Sequence, residues 1–176
     1  MNRTVQRLAF ATALCIVPLA AAAQAELGDA QIVHIVVTAN QVDVDAGKLA
    51  RTKSAGKETR AFAERMIADH GALNTQVTAL AKRLRLKPED NAVSRSLHQG
   101  GRGNLANLRG LNKGPGFDRA YVAHEVAYHE VVLDVMDRTL VAGARNPELK
   151  ALLVNARPAF AAHLEHARQL QATIGR

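Results

Sequence analysis

Apolar residues recur three and four positions apart along most of the chain, and the alternation typical of strands is absent. This spacing places apolar side chains on one face of an α-helix. Glycine and proline separate the long segments that follow it. We predict helices from Asp29 to Ser54, from Lys57 to Leu86, from Phe117 to Ala142 and from Pro147 to Ile174. The chain is therefore predicted to be all-α.

The connection between the second and third predicted helices runs from residue 87 to residue 116, and we expect one short helix in it, around Leu105 to Leu111. A connection of this length can cross a whole bundle. It favours a four-helix bundle of ferritin-like connectivity, with the second and third helices parallel. Up-down-up-down order with an elaborate loop is the alternative.

The first 25 residues are predicted to be a cleavable signal peptide, followed by one helical-bundle domain over residues 26–176. Arg3 and Arg7 form a basic start, Leu8 to Ala22 is apolar, and Ala23-Gln24-Ala25 is a small-x-small cleavage site. The apolar stretch is too short and too rich in alanine to predict a membrane span. We therefore expect cleavage near Ala25 and a periplasmic or secreted product.

Composition excludes several classes of function. Cys15 is the only cysteine and lies in the predicted signal peptide, so the mature domain lacks disulfides, thiolate nucleophiles and Cys-ligated zinc. Removing two arginines lowers the formal charge from +7 to +5, but the chain has no Trp and only two tyrosines. Without a basic patch interleaved with aromatic residues we expect no nucleic-acid partner. Weak contact with an anionic envelope surface stays open.

Each long predicted helix carries an ionisable residue on its apolar stripe. They are Asp43 on the first helix, His70 on the second, Glu125 and His129 on the third, and His163 on the fourth. A rise of about 1.5 Å per residue from the helix ends places all of them at a similar level of the bundle. Buried ionisable groups cost free energy unless they are paired, neutral or bound to a metal. We therefore predict that these residues form one cluster.

Imidazole and carboxylate groups without sulfur are typical ligands of iron, zinc, manganese or copper(II). The cluster therefore predicts a divalent-metal site, and no organic cofactor is expected. Ferritin-like di-iron sites use Glu-x-x-His on two helices, but Ile67 and Phe160 stand three residues before His70 and His163. A di-iron oxidase is thus disfavoured. The alternative is a structural network, in which carboxylates and tyrosine hydroxyls satisfy the histidines.

No other motif predicts catalysis. The stretch from Gly101 to Ala106 matches a loose Gly-x-Gly-x-x-Ala pattern but follows no strand, so we interpret it as a flexible connector. Asp69 is adjacent to His70, but neighbouring helical residues point about 100° apart, which argues against an acid/base pair. Nothing in the sequence predicts a nucleophilic enzyme.

Several segments together resemble a family of exported bacterial proteins. They include Val42 to Ala50, the Met-x-x-Asp-His motif that ends at His70, Glu125-Val126-Ala127-Tyr128-His129, and Arg157-Pro158-x-Phe160-x-x-His163. The family is domain of unknown function 4142, whose members are often labelled putative outer-membrane or exported proteins and placed among ferritin-like bundles. The resemblance implies a secreted antiparallel helical domain with His70, His129 and His163 as family-type histidines. The family often has Met where Glu125 stands here, and it implies no activity.

Two function classes follow. The first is a periplasmic metal-binding bundle for storage, buffering or redox protection. The second is a non-enzymatic envelope stress or interaction protein, in which the polar cluster only fixes the bundle. Ligand atoms of a metal site should converge on one point, within about 4 Å when no metal is present. A satisfied network should instead show pairwise hydrogen bonds of about 2.8 Å without a shared centre.

Overall fold

The computed structural model of the chain describes residues 27–174. Within that range the secondary structure is helical and contains no strand. The all-α prediction is therefore confirmed. The predicted signal peptide and its cleavage site lie outside the described residues.

The main helices follow the predicted segments with small shifts at their ends. They are α1 (Asp29–Lys53), α2 (Lys57–Arg83), α3 (Ala92–Gly110), α4 (Pro115–Val135) and α6 (Pro147–Ile174). A π-helical segment, Met136–Leu140, and one short turn of helix, α5 (Val141–Gly143), continue α4 to the end of the third predicted helix.

Helix α2 ends three residues earlier than predicted, at Arg83. Arg85 adopts a left-handed conformation with φ of 56°. This bend lets the backbone N–H of Leu86 donate to the carbonyl of Ala81 at 2.9 Å. The hydrogen bond satisfies a carbonyl of the last turn, as in the common helix-ending motif that usually has glycine at the left-handed position.

Helix α3 corrects the prediction of a short helix around Leu105 to Leu111, because it runs from Ala92 to Gly110. It also corrects the interpretation of the glycine-rich stretch as a flexible connector. Glycine lowers helix propensity by about 1 kcal/mol relative to alanine, but tertiary contacts outweigh that cost here. A β-carbon at Gly101 would lie 2.6 Å from a methyl group of Val42, so glycine lets α3 pack closely on α1.

The start of α3 is also fixed by its cap. The side chain of Asn91 accepts a hydrogen bond from the backbone N–H of Ser94 at 3.0 Å, and the Ser94 hydroxyl accepts one from the backbone N–H of Asn91 at 3.0 Å. This reciprocal pair satisfies two N–H groups that a helix start leaves free.

Contacts between helix termini define one end of the bundle. Asp29, at the start of α1, accepts hydrogen bonds from the backbone N–H groups of Arg145 and Asn146 at 2.9 and 3.0 Å, just before α6. The segment after α2 lies at the same end, because the backbone N–H of Glu89 donates to the carbonyl of Ala30 at 3.1 Å.

The opposite end joins the turn between α1 and α2 to the start of α4. There Asp118 accepts hydrogen bonds from the backbone N–H groups of Ala55 and Gly56 at 3.2 and 2.8 Å. The ammonium group of Lys53 donates to the carbonyl of Leu108 at 3.2 Å, near the end of α3. Helices α2 and α4 therefore run in one direction, and α1, α3 and α6 run in the other.

Two apolar clusters fill the ends of the bundle and leave a polar level between them. One contains Ile32, Val36 and Val77, and the other contains Ala46 and Met66. On α1 and α2 the residues between these clusters include the buried polar side chains Asn40, Asp43 and His70. The fold thus places the predicted cluster between two parts of the core. Among the described helices, none is long and apolar enough to cross a membrane.

Candidate metal centre

All the residues predicted for the cluster are buried. The exposed fraction of each is 2% or less, for Asp43, His70, Glu125, His129 and His163. Such burial removes their polar atoms from bulk water, so the protein itself, a buried water molecule or a bound ion must satisfy them.

The structure brings these side chains together around Asp43. Its Oδ2 atom lies 3.1 Å from Nε2 of His70 and 3.5 Å from Nε2 of His129. Oε2 of Glu125 lies 3.7 Å from Nδ1 of His129. The ring centroid of His163 lies 5.2 Å from that of His70 and 5.5 Å from that of His129. Side chains from α1, α2, α4 and α6 therefore meet at one place.

Each of the three histidines uses one ring nitrogen for a hydrogen bond that points away from the cluster. Nδ1 of His70 donates to the amide oxygen of Asn40 at 2.9 Å, and Nδ1 of His129 donates to the backbone carbonyl of Glu125 at 3.0 Å. Nε2 of His163 donates to Oδ2 of Asp69 at 2.8 Å. In a neutral imidazole, an acceptor of this kind fixes the proton on the nitrogen that it contacts and leaves the other nitrogen with a lone pair.

The orientation of the Asn40 amide is itself fixed. Its Nδ2 donates to the side-chain oxygen of Asn74 at 3.0 Å, and Nδ2 of Asn74 donates to the carbonyl of Val37 at 3.4 Å. The amide oxygen of Asn40 is therefore free to accept the proton on His70. Hydrogen bonds of this kind orient histidines that bind metals.

The remaining ring nitrogens have no hydrogen-bond partner among the described residues. They are Nε2 of His70, Nε2 of His129 and Nδ1 of His163, and both carboxylate oxygens of Asp43 and of Glu125 share this property. One buried polar atom without a partner costs about 1–3 kcal/mol. The presence of several unpartnered polar atoms at one level of the bundle indicates that they bind a further group.

The distances between these atoms suit a metal ion. One nitrogen from each of the three histidines lies within 4.8 Å of the others, and the same holds for one donor atom each from Asp43, Glu125 and His129. His129 belongs to both groups, so the two sets of donors are contiguous. Three imidazoles with carboxylates form a donor set of nitrogen and oxygen.

Burial controls the charge of these groups. It lowers the pKa of His70 to about 3 and that of His129 to about 4, so both imidazoles are neutral near pH 7. Burial raises the pKa of the Asp43 carboxyl, against the opposing effect of His129. Burial and the charge of Asp43 raise the pKa of Glu125 well above its usual value. The two carboxyls therefore retain a proton that a solvent-exposed pair would release.

Sequence reasoning missed two residues that contact this centre. Asn40 lies three residues before Asp43 on the inner face of α1, a position that could have identified it. Asp69 points away from His70, as its helical position indicates, but reaches His163 on another helix. Burial acts to raise the pKa of Asp69, but hydrogen bonds from His163 and Arg65 lower it overall.

The other described histidines lie outside the cluster. His98 is exposed, and His34 is partly exposed with Nδ1 3.9 Å from Asp90. His124 stacks on Tyr128 with a centroid distance of 5.5 Å, and the ring of His166 meets Phe62 edge-on at 5.1 Å.

Comparisons with known proteins give a family and a fold. The family model described as "Domain of unknown function (DUF4142)" matches residues 17–170. No curated protein matches the chain. A solved structure described as "CopM in the Cu(II)-bound form" has a similar fold, with a TM-score of 0.64 at 15% sequence identity. The similarity covers 84% of this chain and 98% of that chain.

Proposed function

The chain belongs to the DUF4142 family, and from its buried cluster of donor atoms we propose that it is a metal-binding helical bundle. The observation that carries this proposal is the arrangement of His70, His129 and His163. One nitrogen of each ring donates a hydrogen bond that points away from the cluster. The other nitrogen faces the cluster without a hydrogen-bond partner. Histidines that bind metals have this arrangement.

The ligands that we propose are the three histidines, completed by Asp43 or Glu125. Because the imidazoles of His70 and His129 are already neutral, a metal ion does not have to displace protons from these two rings. A cation also offsets the repulsion between the two buried carboxylates, so that these groups can release the proton that burial retains on them. The bound ion would supply the positive charge that these side chains otherwise lack.

The donor set admits several divalent metals, and we propose copper(II) and zinc(II) as the first to test. Sites with nitrogen and oxygen ligands generally bind copper(II) most tightly among first-row divalent ions. The similar fold of the protein described as CopM in the Cu(II)-bound form supports the choice of copper. Storage or buffering of the metal requires only this site, and redox protection would require that the bound ion be copper, iron or manganese.

We further propose that the mature protein acts outside the cytoplasm, after cleavage near Ala25. The basic, apolar and small-residue pattern of residues 1–25 supports export. N-terminal sequencing of the protein from a periplasmic extract should begin at Glu26. We also propose ferritin-like connectivity for the bundle, with α3 as the crossover. The opposite directions of α2 and α3 and the shared direction of α2 and α4 support this topology.

The second candidate function is a non-enzymatic envelope stress or interaction protein with a purely structural cluster. The 3.1 Å distance between His70 and Asp43 favours it, as does the edge-on contact of the His70 ring with Phe160 at a centroid distance of 4.9 Å. Such contacts alone would hold the helices in register. The unpartnered nitrogens and carboxylate oxygens favour the metal site over this alternative.

Metal analysis separates the two functions. Residues 26–176 are purified without a His tag, and their metal content is compared with that of a His70→Ala/His163→Ala variant. The matched control is His34→Ala/His98→Ala, which removes the same number of imidazoles outside the cluster. We expect close to one metal per chain in the wild type and the control, and loss of it in the cluster variant.

Thermal unfolding of the same samples decides how a negative result is interpreted. Absence of metal from every sample after incubation with copper(II) or zinc(II), together with a lower melting temperature of the cluster variant, would support the structural role. A His163→Gln variant serves as a second probe if the double variant fails to fold, because glutamine keeps a polar side chain of similar size.

A further inference from the structure

A groove between α2 and α6 leads from the surface to the cluster. Its volume is about 840 Å³, and its inner wall includes His70, Phe160 and His163. Small side chains such as Ala156 and Ala159 line it on α6. Two of the three clustered imidazoles therefore border space that is continuous with this groove, although their own exposed fractions are 2% or less.

Asp69 stands where this groove meets the cluster. Its side chain is 42% exposed, whereas that of His163, to which it is hydrogen-bonded, is 2% exposed. The guanidinium of Arg65 lies 3.3 Å from the same carboxylate oxygen. Asp69 therefore contacts one exposed side chain, Arg65, and one buried side chain, His163. Asp69 is thus an acidic group that both faces solvent and contacts a clustered histidine.

The groove on the side of the bundle between α3 and α4 does not reach the cluster. A second groove of about 510 Å³ lies between α3 and α4, but none of the clustered residues lines it. Tyr128 stands between this groove and His129, with their ring centroids 6.2 Å apart. The Tyr128 hydroxyl donates to the carbonyl of Ala39 at 2.8 Å, which anchors the ring across the gap between α4 and α1.

We propose that the groove between α2 and α6 is the route by which a divalent cation reaches the three imidazoles, with Asp69 as the first protein group that the cation meets. This inference rests on the proposed metal-binding function. The negative charge of Asp69 attracts the cation. Its hydrogen bond from His163 holds the proton on Nε2 and thereby leaves Nδ1 free as a ligand. Asp69 is a positioning residue, since it acts on the bound metal through His163.

Obstruction of the groove tests the route. Ala159→Trp places a large ring in the groove between α2 and α6, and Ala127→Trp makes the same change at an exposed alanine in the groove between α3 and α4. Association of copper(II) or zinc(II) is followed by stopped-flow mixing. We expect Ala159→Trp to lower the association rate constant about tenfold and the dissociation rate constant by a similar factor, with the equilibrium affinity unchanged.

The Ala127→Trp control shows whether the effect on the rate constants is specific to the groove between α2 and α6. Ala127→Trp should leave both rate constants at the wild-type values. Wild-type association in Ala159→Trp, or equal slowing in both variants, would overturn the route while leaving the metal site in place. Failure of the wild-type protein to bind either ion at equilibrium would instead overturn the proposed function, and the route with it.

Removal of charge tests the part played by Asp69. Asp69→Asn keeps an oxygen that can accept the proton of His163 but loses the negative charge. The matched control is Asp45→Asn, because Asp45 is also 42% exposed and lies 3.8 Å from Lys48 but does not line the groove. We expect only Asp69→Asn to slow association, by about threefold at low salt and less at high salt. A rate equal to that of Asp45→Asn at every salt concentration would remove Asp69 from the route.

Discussion

Asp69 on α2 accepts a hydrogen bond from Nε2 of His163 on α6 at 2.8 Å. This contact joins a half-exposed carboxylate to a buried imidazole. It fixes the proton of His163 on the nitrogen that faces outward, so that Nδ1 faces the cluster. Metal-binding histidines are commonly oriented in this way, and removal of the orienting group typically costs about 10–100-fold in metal affinity.

We therefore expect Asp69→Ala to weaken metal binding by about 10–100-fold, because His163 loses the acceptor that fixes its tautomer. Asp45→Ala should leave the affinity unchanged, since Asp45 pairs with Lys48 away from the cluster. Isothermal titration with copper(II) or zinc(II) measures both. Equal affinities of the two variants would show that the contact between Asp69 and His163 does not support the site.

The protonation of the imidazoles gives a prediction for the metal-free protein. Burial lowers the pKa of His70 to about 3 and that of His129 to about 4. Nitrogen-15 spectra at pH 6 should therefore show both rings neutral, with the proton on Nδ1. His163 should be seen with its proton on Nε2 when its ring is neutral. An Nε2–H tautomer of His70 would contradict the proposed assignment of its free nitrogen.

Glu125→Gln should stabilise the metal-free protein, and the gain should grow with pH. In the unfolded chain Glu125 ionises near its usual pKa of 4.5, whereas burial and Asp43 raise the pKa in the folded state. Below pH 4.5 both states hold the proton and the carboxyl has little effect. Above pH 4.5 the unfolded state releases its proton first, so the wild type loses up to about 1.4 kcal/mol per pH unit relative to the variant, until the folded pKa is reached.

Chemical denaturation of both proteins at pH 4 and pH 8, in the presence of a chelator, measures this difference. A difference in unfolding free energy that does not change with pH would show that Glu125 ionises normally in the folded protein. The same substitution should weaken metal binding if Glu125 contributes an oxygen ligand, so stability and affinity should change in opposite directions.

The packing of α3 on α1 predicts opposite effects for two glycine substitutions. A β-carbon at Gly101 would lie 2.6 Å from a methyl group of Val42, whereas one at Gly103 would have no neighbour within 4 Å. Gly101→Ala should therefore destabilise the protein by about 1–3 kcal/mol. Gly103→Ala should stabilise it by about 0.5–1 kcal/mol through higher helix propensity. Thermal unfolding measures both, and equal effects would contradict this packing.

The residues of the centre could be predicted from the sequence because helical periodicity relates position directly to burial. Asp43, His70, Glu125, His129 and His163 interrupt apolar stripes at matching distances from the helix ends, and all of them are buried close together. Asp69 could not be found in this way, because its contact with His163 depends on how α2 and α6 face each other. The periodicity of one helix carries no information about that arrangement.

The full length of helix α3 could not be predicted from the sequence for a different reason. The glycines from 100 to 103 lower local helix propensity, so the sequence favoured a connector there. The helix forms because Gly101 permits close contact with Val42 and because Asn91 and Ser94 cap its start. These stabilising contacts are tertiary or depend on backbone geometry, and local pattern alone does not show them.

X-ray absorption spectroscopy of residues 26–176 loaded with one equivalent of copper(II) or zinc(II) tests the metal site most directly. We expect about three imidazole ligands with nitrogen at about 2.0 Å, together with carboxylate oxygen. This imidazole signal should be lost in His70→Ala/His163→Ala and kept in His34→Ala/His98→Ala. A spectrum without imidazole ligands, or one that is the same in both variants, would contradict the assignment of the buried cluster as a metal centre.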